Sequence, residues 1–199
     1  MSMSARVSTL IDIGPRSGRY VFLLVEWNDY ADDVRDELNR QAEAFGQDLG
    51  PAGWFVRAYD RRMFDIANEV LRKKWPAEIA DRFGTDQEPI ILILDRDWTT
   101  FDPCAHPYGI IWLSGFSDKP ENVRALLKRL ALGTRQGEDI VAYLWDIAAR
   151  QRRAATSGRV ERGARGAARL ASYVEVKPSV FGVAIDIKAI LRDIAQHRS

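Results

Sequence analysis

Pro89-Ile-Ile-Leu-Ile-Leu-Asp95-Arg-Asp97-Trp98 is the stretch that decides the fold, because an unbroken apolar run stands between a proline and a group of acids. A strand this uniformly apolar is typical of a sheet that is covered on both faces. A second apolar run, Tyr108-Gly-Ile-Ile-Trp-Leu113, follows after a loop rich in Thr, Pro, Asp and His. The loop is short enough for a hairpin, whereas a parallel pair needs a longer crossover. The sequence therefore predicts an antiparallel pair.

The segments around this pair alternate between strands and helices. Tyr20-Val-Phe-Leu-Leu-Val-Glu26-Trp27 is nearly all apolar and predicts another buried strand. Apolar residues at helical spacing then predict a helix that ends at Gly50-Pro51. These apolar residues are Val34, Leu38, Ala42, Phe45 and Leu49. The other expected elements are an edge strand near residues 7–13, a strand at 54–59, a helix from residue 63 that Pro76 breaks, a helix after Pro120 and a helix over 138–153.

Length and composition indicate a globular chain with one main domain, since it has 199 residues of which 46% are hydrophobic. We expect an α/β core domain over residues 1–149, an Arg/Ala/Gly-rich linker over 150–169, and a strand-plus-helix appendage over 170–199. The N-terminus lacks a basic segment followed by an apolar stretch, and no run approaches the ~18 apolar residues that a membrane span requires. We therefore expect a cytoplasmic protein with no membrane contact.

Charge is distributed unevenly along the chain. Residues 1–149 carry 18 basic and 24 acidic side chains and residues 150–199 carry 11 and 4, so the two segments have formal charges of −6 and +7. The linker pairs with the acidic body on one interpretation and contacts an acidic partner such as nucleic acid on the other. The arginines expected to contact phosphates or an acidic partner are Arg152, Arg153, Arg159, Arg162 and Arg165. The appendage has too small an apolar face to stand alone, so it should dock on the core or on a second subunit, the latter giving a homo-oligomer.

The element order β-α-β-α-β-β-α over residues 20–132 resembles the thioredoxin fold, a three-layer α/β core. Trp27 lies where that family has a tryptophan before its redox Cys-x-x-Cys, and Pro89 lies where it has a proline beside the active site. Here Asn28-Asp29-Tyr30-Ala31 follows, so both cysteine positions are empty. The resemblance therefore implies a non-redox scaffold without a cofactor, extended by one helix and the C-terminal strand and helix, because disulfide exchange needs an attacking and a resolving thiol.

Three acids after the apolar strands suggest a different chemistry. Glu26 at one strand end and the pair Asp95 and Asp97 at another resemble the Toprim metal site, in which carboxylates hold Mg²⁺ for phosphoryl transfer. The Toprim glutamate is normally followed by glycine, whereas Trp27 occupies that position here. The alternative is that these acids reach solvent and pair with nearby arginines.

Both acidic strand ends are followed by a tryptophan, and we expect the two ends to share one crevice beyond the sheet. Trp27 and Trp98, with Asn28 and Tyr30, would then form a protein-binding surface. A third group of residues, Asp102, Cys104 and His106, could act as nucleophile, base and orienting group only if their side chains converge in space. The simpler interpretation is that His106 is a loop residue without a catalytic role.

Two hypotheses result. The first is a non-redox thioredoxin-like binding or assembly module of a cytoplasmic complex. The second is a Mg²⁺-dependent phosphoryl-transfer enzyme, a Toprim-like nuclease that uses Glu26, Asp95 and Asp97.

Overall fold

In a computed structural model of the chain, the residues described are 4–7, 10, 18–27, 32–58, 63–85, 89–113, 121–161 and 182–185. They form a mixed α/β structure. The strands are β1 (Ser4–Val7), β2 (Tyr20–Val25), β3 (Gly53–Ala58), β4 (Ile90–Leu94), β5 (Tyr108–Trp112) and β6 (Gly182–Ile185). The helices are α1 (Asp32–Leu49), α2 (Met63–Leu71), α3 (Ala77–Thr85), α4 (Glu121–Arg135) and α5 (Ile140–Glu161).

The described strands form one open sheet in the order β1-β3-β2-β4-β5-β6. Strands β1, β3 and β2 run parallel to one another, β4 runs against both of its neighbours, and β6 is parallel to β5. Only β4 is reversed, so every other described strand points its carboxyl end to the same side of the sheet. We call that side the upper end and the opposite side the lower end.

The hairpin predicted from the two apolar runs is confirmed. β4 and β5 pair antiparallel over five residues each, from Ile90 opposite Trp112 to Leu94 opposite Tyr108. Every residue of both strands is buried, as the absence of alternation in their sequences indicated.

Helices cover both faces of the sheet. One apolar core joins alternate strand residues such as Phe22 and Ile93 to α1, α4 and α5, and we call it the α1/α4/α5 face. The other joins the intervening residues such as Leu23 and Leu92 to α2 and α3, and we call it the α2/α3 face. This division follows from the two-residue period of a strand.

The predicted helix boundaries agree with the structure where proline and glycine set them. α1 ends at Leu49, and Gly50 then adopts a φ of 58°, in the left-handed region that glycine enters without a steric penalty. Pro76 separates α2 from α3, as expected for a residue that cannot continue a helical hydrogen-bond ladder. All five residues predicted to form the apolar stripe of α1 are buried.

The structure differs from expectation in the C-terminal part of the chain. α5 continues to Glu161, so residues 150–161, expected to be a linker, are helical. Alanine and arginine, which are among the strongest helix formers, make up six of the twelve residues in this segment, and Gly158 is its only glycine, which favours the longer helix. The strand expected at 173–177 and the C-terminal helix lie outside the described residues, but β6 joins the core sheet beside β5. At the other edge, β1 begins at Ser4, earlier than the pattern predicted.

Within these ranges no helix is both long and apolar enough to cross a bilayer.

Gly109 of β5 gives the first testable prediction. A Cβ added there would lie 2.7 Å from Cδ1 of Leu144, whereas one added at Gly84 in α3 would meet nothing within 4 Å. Gly109→Ala should therefore lower the free energy of unfolding by about 1–3 kcal/mol through overpacking between β5 and α5. Gly84→Ala should leave it unchanged or slightly higher because alanine favours a helix. Urea unfolding of both variants measures this, and equal effects would contradict the contact.

Candidate functional site

The two acid-tryptophan strand ends do not meet. β2 and β4 pair antiparallel, with Val21 opposite Leu94 and Val25 opposite Ile90. Glu26 therefore follows β2 at the upper end, while Asp95 follows β4 at the lower end, about 20 Å away at ~3.4 Å per residue. The expectation of one shared crevice assumed that both strands run in the same direction, and the register does not allow it.

The hypothesised metal ligands have separate local roles. Asp95 accepts hydrogen bonds from the neighbouring Arg96, Oδ1 from Nε at 2.9 Å and Oδ2 from Nη2 at 3.4 Å. Asp97 caps the single 3-10 turn Trp98–Thr100, where its Oδ1 accepts from the backbone N–H of Thr99 at 2.8 Å and from the Thr99 hydroxyl. No cluster of three or more His, Cys, Asp or Glu side chains suited to a metal ion occurs within the described ranges. The three acids therefore do not fit the Mg²⁺ site that the Toprim-like pattern suggested.

The tryptophans that follow these acids are core residues. Trp27 is 6% exposed and Trp98 is 5% exposed, and both belong to the core of the α2/α3 face. The indole rings therefore do not form the accessible binding surface that the sequence suggested. Asn28 and Tyr30, expected beside Trp27 on that surface, lie outside the described residues.

A continuous set of aromatic rings in tilted and edge-on contact lies in the core of the α2/α3 face. We call it the aromatic cluster, and its members are Trp27, Trp75, Phe83, Trp98, Phe101, Tyr108 and Trp112. Trp75 is its hub, with edge-on contacts at 5.2 Å between ring centroids to both Phe83 and Tyr108. Phe83 extends the cluster to Trp27 at 5.3 Å, and Phe101 extends it to Trp98 at 6.0 Å. The cluster thus connects the end of β2 with the loop after β4.

The sequence did not reveal the aromatic cluster because its members come from separate elements. Trp75 and Phe83 stand on either side of Pro76, where no helical period spans both. The available signal was compositional, since aromatic residues are dense between residues 75 and 112.

The β4–β5 loop, residues 95–107, is anchored at the lower end by Lys73. Nζ of Lys73 donates to the carbonyl of Trp98 at 3.1 Å and to that of Phe101 at 2.7 Å, and it lies 4.7 Å from the centroid of the Trp98 ring. Burial lowers the pKa of Lys73 from its ordinary value, and the carboxylates of Asp102 and Asp97 oppose that shift. The ammonium thus ties the connection after α2 to this loop.

The three residues considered as a nucleophile, base and orienter are engaged elsewhere. Nδ1 of His106 accepts from the backbone N–H of Asp102 at 2.9 Å, and the carboxylate of Asp102 accepts from the backbone N–H of Cys104 at 2.8 Å. The thiol of Cys104 donates to the carbonyl of Lys74 at 3.1 Å. These bonds shape a turn instead of pairing a thiol with a base, so the loop-histidine interpretation agrees with the geometry.

Tyr108 stands where the β4–β5 loop meets the aromatic cluster. Burial raises the pKa of its phenol well above the ordinary value, and the nearby Cys104 and Glu78 act in the same direction. The phenol is therefore neutral across the physiological pH range.

The arginine-rich segment is divided by the end of α5. Arg152, Arg153 and Arg159 belong to the helix, whereas Arg162 and Arg165 lie outside the described residues. The predicted helix over 138–153 already included Arg152 and Arg153, and the longer α5 adds Arg159 to the same helix.

Two tryptophans in the aromatic cluster provide a matched prediction. Nε1 of Trp75 donates to the carbonyl of Val70 at 2.8 Å, whereas Nε1 of Trp27 is buried and has no acceptor among the described groups. Trp75→Phe removes an existing hydrogen bond, whereas Trp27→Phe removes a buried donor that has no partner among the described groups. Trp75→Phe should therefore lower the free energy of unfolding by about 1–2 kcal/mol more than Trp27→Phe. Guanidinium unfolding followed by circular dichroism provides the comparison, and a larger loss for Trp27→Phe would contradict it.

Comparison of the chain with protein-family models, with curated proteins and with solved structures produced no match to any of them.

Proposed function

We propose that the chain is a non-redox thioredoxin-like module that binds another protein and works in the assembly of a cytoplasmic complex. The arrangement of the sheet carries this proposal. Two parallel strands joined by a helix, β2 and β3, precede an antiparallel hairpin, β4 and β5, with helices on both faces. This agrees with the β-α-β-α-β-β-α order on which the resemblance rests.

The cysteine content supports a role other than disulfide exchange. The chain has one cysteine, Cys104, in the β4–β5 loop at the lower end. The family places its dithiol after the strand that corresponds to β2, at the upper end. A single thiol cannot form and resolve a disulfide within one chain, so a thioredoxin-like core here would act as a scaffold.

Two loops are proposed as the contact surface. The upper one follows Trp27 and includes Asn28 and Tyr30. The lower one is the β4–β5 loop. The buried Trp98 holds this loop on the core, and Thr99, Thr100 and Asp102 are exposed. Loops held by a rigid scaffold are where binding residues concentrate.

A second contact is proposed for an acidic surface of the partner or for nucleic acid. The arginines that would form it are Arg152, Arg153, Arg159, Arg162 and Arg165. The alternative of a Mg²⁺-dependent nuclease has no comparable support, because Glu26 and Asp95 lie at opposite ends of the sheet.

Restoring the family's dithiol tests the thioredoxin-like architecture. Asn28→Cys with Ala31→Cys, in a Cys104→Ser background, places Cys-x-x-Cys directly after Trp27. If the upper end is thioredoxin-like, the two thiols should form an intramolecular disulfide with a potential of roughly −270 to −120 mV. The variant should also accelerate insulin reduction by dithiothreitol, whereas the Cys104→Ser parent should not. Failure of the two cysteines to pair would count against the architecture.

Affinity capture tests the binding function. The full chain and its Asn28→Ala,Tyr30→Ala and Thr99→Arg variants would be used as baits in lysates of the cells that naturally contain the protein. Thr99→Arg should keep nearly the melting temperature of the wild type, because the Thr99 side chain is exposed. The melting temperature of the Asn28→Ala,Tyr30→Ala variant is measured beside it, so that loss of folding is distinguished from loss of binding. At least one should lose most of a partner that the wild type recovers, while the α1 surface control Glu43→Ala should retain it. Equal recovery by all baits would exclude both loops as the contact surface.

A further inference from the structure

One side of α4 carries an exposed row of basic residues with a leucine among them. Arg124, Lys128, Leu132 and Arg135 are all exposed. Leu132 is 45% exposed, and Leu71 is the one other large hydrophobic residue exposed to this degree in the described ranges. At 3.6 residues per turn the four positions fall within about 80° of the helix circumference, along about 17 Å of its axis. We call these four residues the α4 stripe.

The cations of the α4 stripe are not neutralised by the rest of the described structure. None of the three makes a side-chain hydrogen bond or ion pair with a described group. By contrast, Arg129 of the same helix pairs with Glu138 at 2.8 Å and lies 4.2 Å from the centroid of the Tyr143 ring. No acid follows Glu121 in α4. Residues 1–149 have a formal charge of −6, so this local positive charge does not reflect a basic composition.

The stability of α4 does not explain this arrangement. Arg124 lies in the first turn, where the positive end of the helix dipole disfavours a cation. Arg124 and Lys128 are like charges four residues apart, a spacing at which they repel each other. The dipole favours Arg135 alone, in the last turn. Departures from local rules of this kind concentrate at functional sites, because they are kept for a reason other than folding.

The residue types of the α4 stripe indicate the class of its partner. The stripe has no aromatic ring on which a nucleic-acid base could stack. One leucine is too small an apolar surface to hold a helix in a membrane interface. A central apolar residue surrounded by charged ones is instead the arrangement of a small protein interface, which has an apolar core and a polar rim. Charge complementarity then requires an acidic partner surface.

We propose that the α4 stripe binds an acidic segment of a partner protein, whose carboxylates contact Arg124, Lys128 and Arg135 and whose apolar side chain covers Leu132. The cations attract and orient the segment, and the leucine contact excludes water at the centre of the interface. The stripe lies on the α1/α4/α5 face and is separate from the two loops proposed above. This inference rests on the proposed binding function and adds the charge of the partner to it.

The fluorescence anisotropy of a labelled peptide tests the site on the full-length chain. The probe is the peptide Glu-Asp-Glu-Leu-Leu-Glu-Asp-Glu, and the matched peptide has serine in place of both leucines. A single-stranded oligothymidylate of similar charge is the nucleic-acid probe. All titrations use a buffer of low ionic strength, because salt screens contacts between exposed charges.

Arg124→Glu with Lys128→Glu should weaken binding of the leucine peptide about tenfold, because two attractive contacts become repulsive. Leu132→Ser should weaken it about threefold, because the apolar contact is lost. Arg72→Glu with Lys74→Glu is the charge-matched control directly after α2, on the other face of the sheet, where both side chains are exposed. The control should bind the leucine peptide as the wild type does. Thermal melting followed by circular dichroism verifies that each variant is folded.

Equal weakening by the control variant overturns the proposal, because binding would then depend on net charge alone. Equal binding of the serine peptide also overturns it, because Leu132 would then have no role. Tighter binding of the oligothymidylate that depends on the stripe overturns it in favour of a nucleic-acid surface. Self-association in sedimentation that the stripe variant abolishes overturns it in favour of a second copy of the chain.

If the double variant does not fold, cross-linking of the wild type decides. A carbodiimide should couple the carboxylates of the leucine peptide to Nζ of Lys128 and not to Nζ of Lys74, and equal coupling to both overturns the proposal. Affinity capture tests the two loops independently. Failure of the stripe together with loop-dependent capture would therefore leave the proposed function standing on another surface.

Discussion

The antiparallel placement of β4 between β2 and β5 is the constraint on which the rest of the structure depends. The three strands together are buried on both faces, so their register fixes which residues enter each core. A shift of one residue would exchange the two faces of a strand and move Leu92 away from the α2/α3 face. The same placement sends the end of β4 to the lower end and thereby separates the two acidic strand ends.

The parts of the fold that the sequence predicts are those governed by local rules. Gly50 and Pro76 mark helix boundaries because their backbone restrictions act within a few residues. The spacing of Val34 and Leu38 predicts the buried stripe of α1 because a helix repeats every 3.6 residues. The pairing of β4 with β5 was predictable because strands that follow one another in sequence are usually neighbours in the sheet.

The candidate site was harder to predict because it depends on the relative direction of strands that are distant in sequence. The residues around Glu26 and Asp95 contain no sequence signal that β2 and β4 run in opposite directions. The position of the tryptophans after strand ends suggests surface residues, but Phe83 packs against Trp27 and Phe101 packs against Trp98 within the core of the α2/α3 face. The helical structure of residues 150–161 was hard to predict for a different reason, because an arginine-rich segment is compatible with a solvated linker as well as with a helix.

The tryptophans are distributed unevenly between the two faces of the sheet, so the intrinsic fluorescence of the protein comes mainly from one face. Trp27, Trp54, Trp75, Trp98 and Trp112 belong to or pack against the core of the α2/α3 face, whereas Trp145 alone packs against the other core. Intrinsic fluorescence therefore reports mainly on one layer of the molecule, while the far-ultraviolet circular dichroism of α1, α4 and α5 reports mainly on the opposite layer. The chain thus carries two optical signals that distinguish cooperative loss of the whole sheet from separation of a single helical layer.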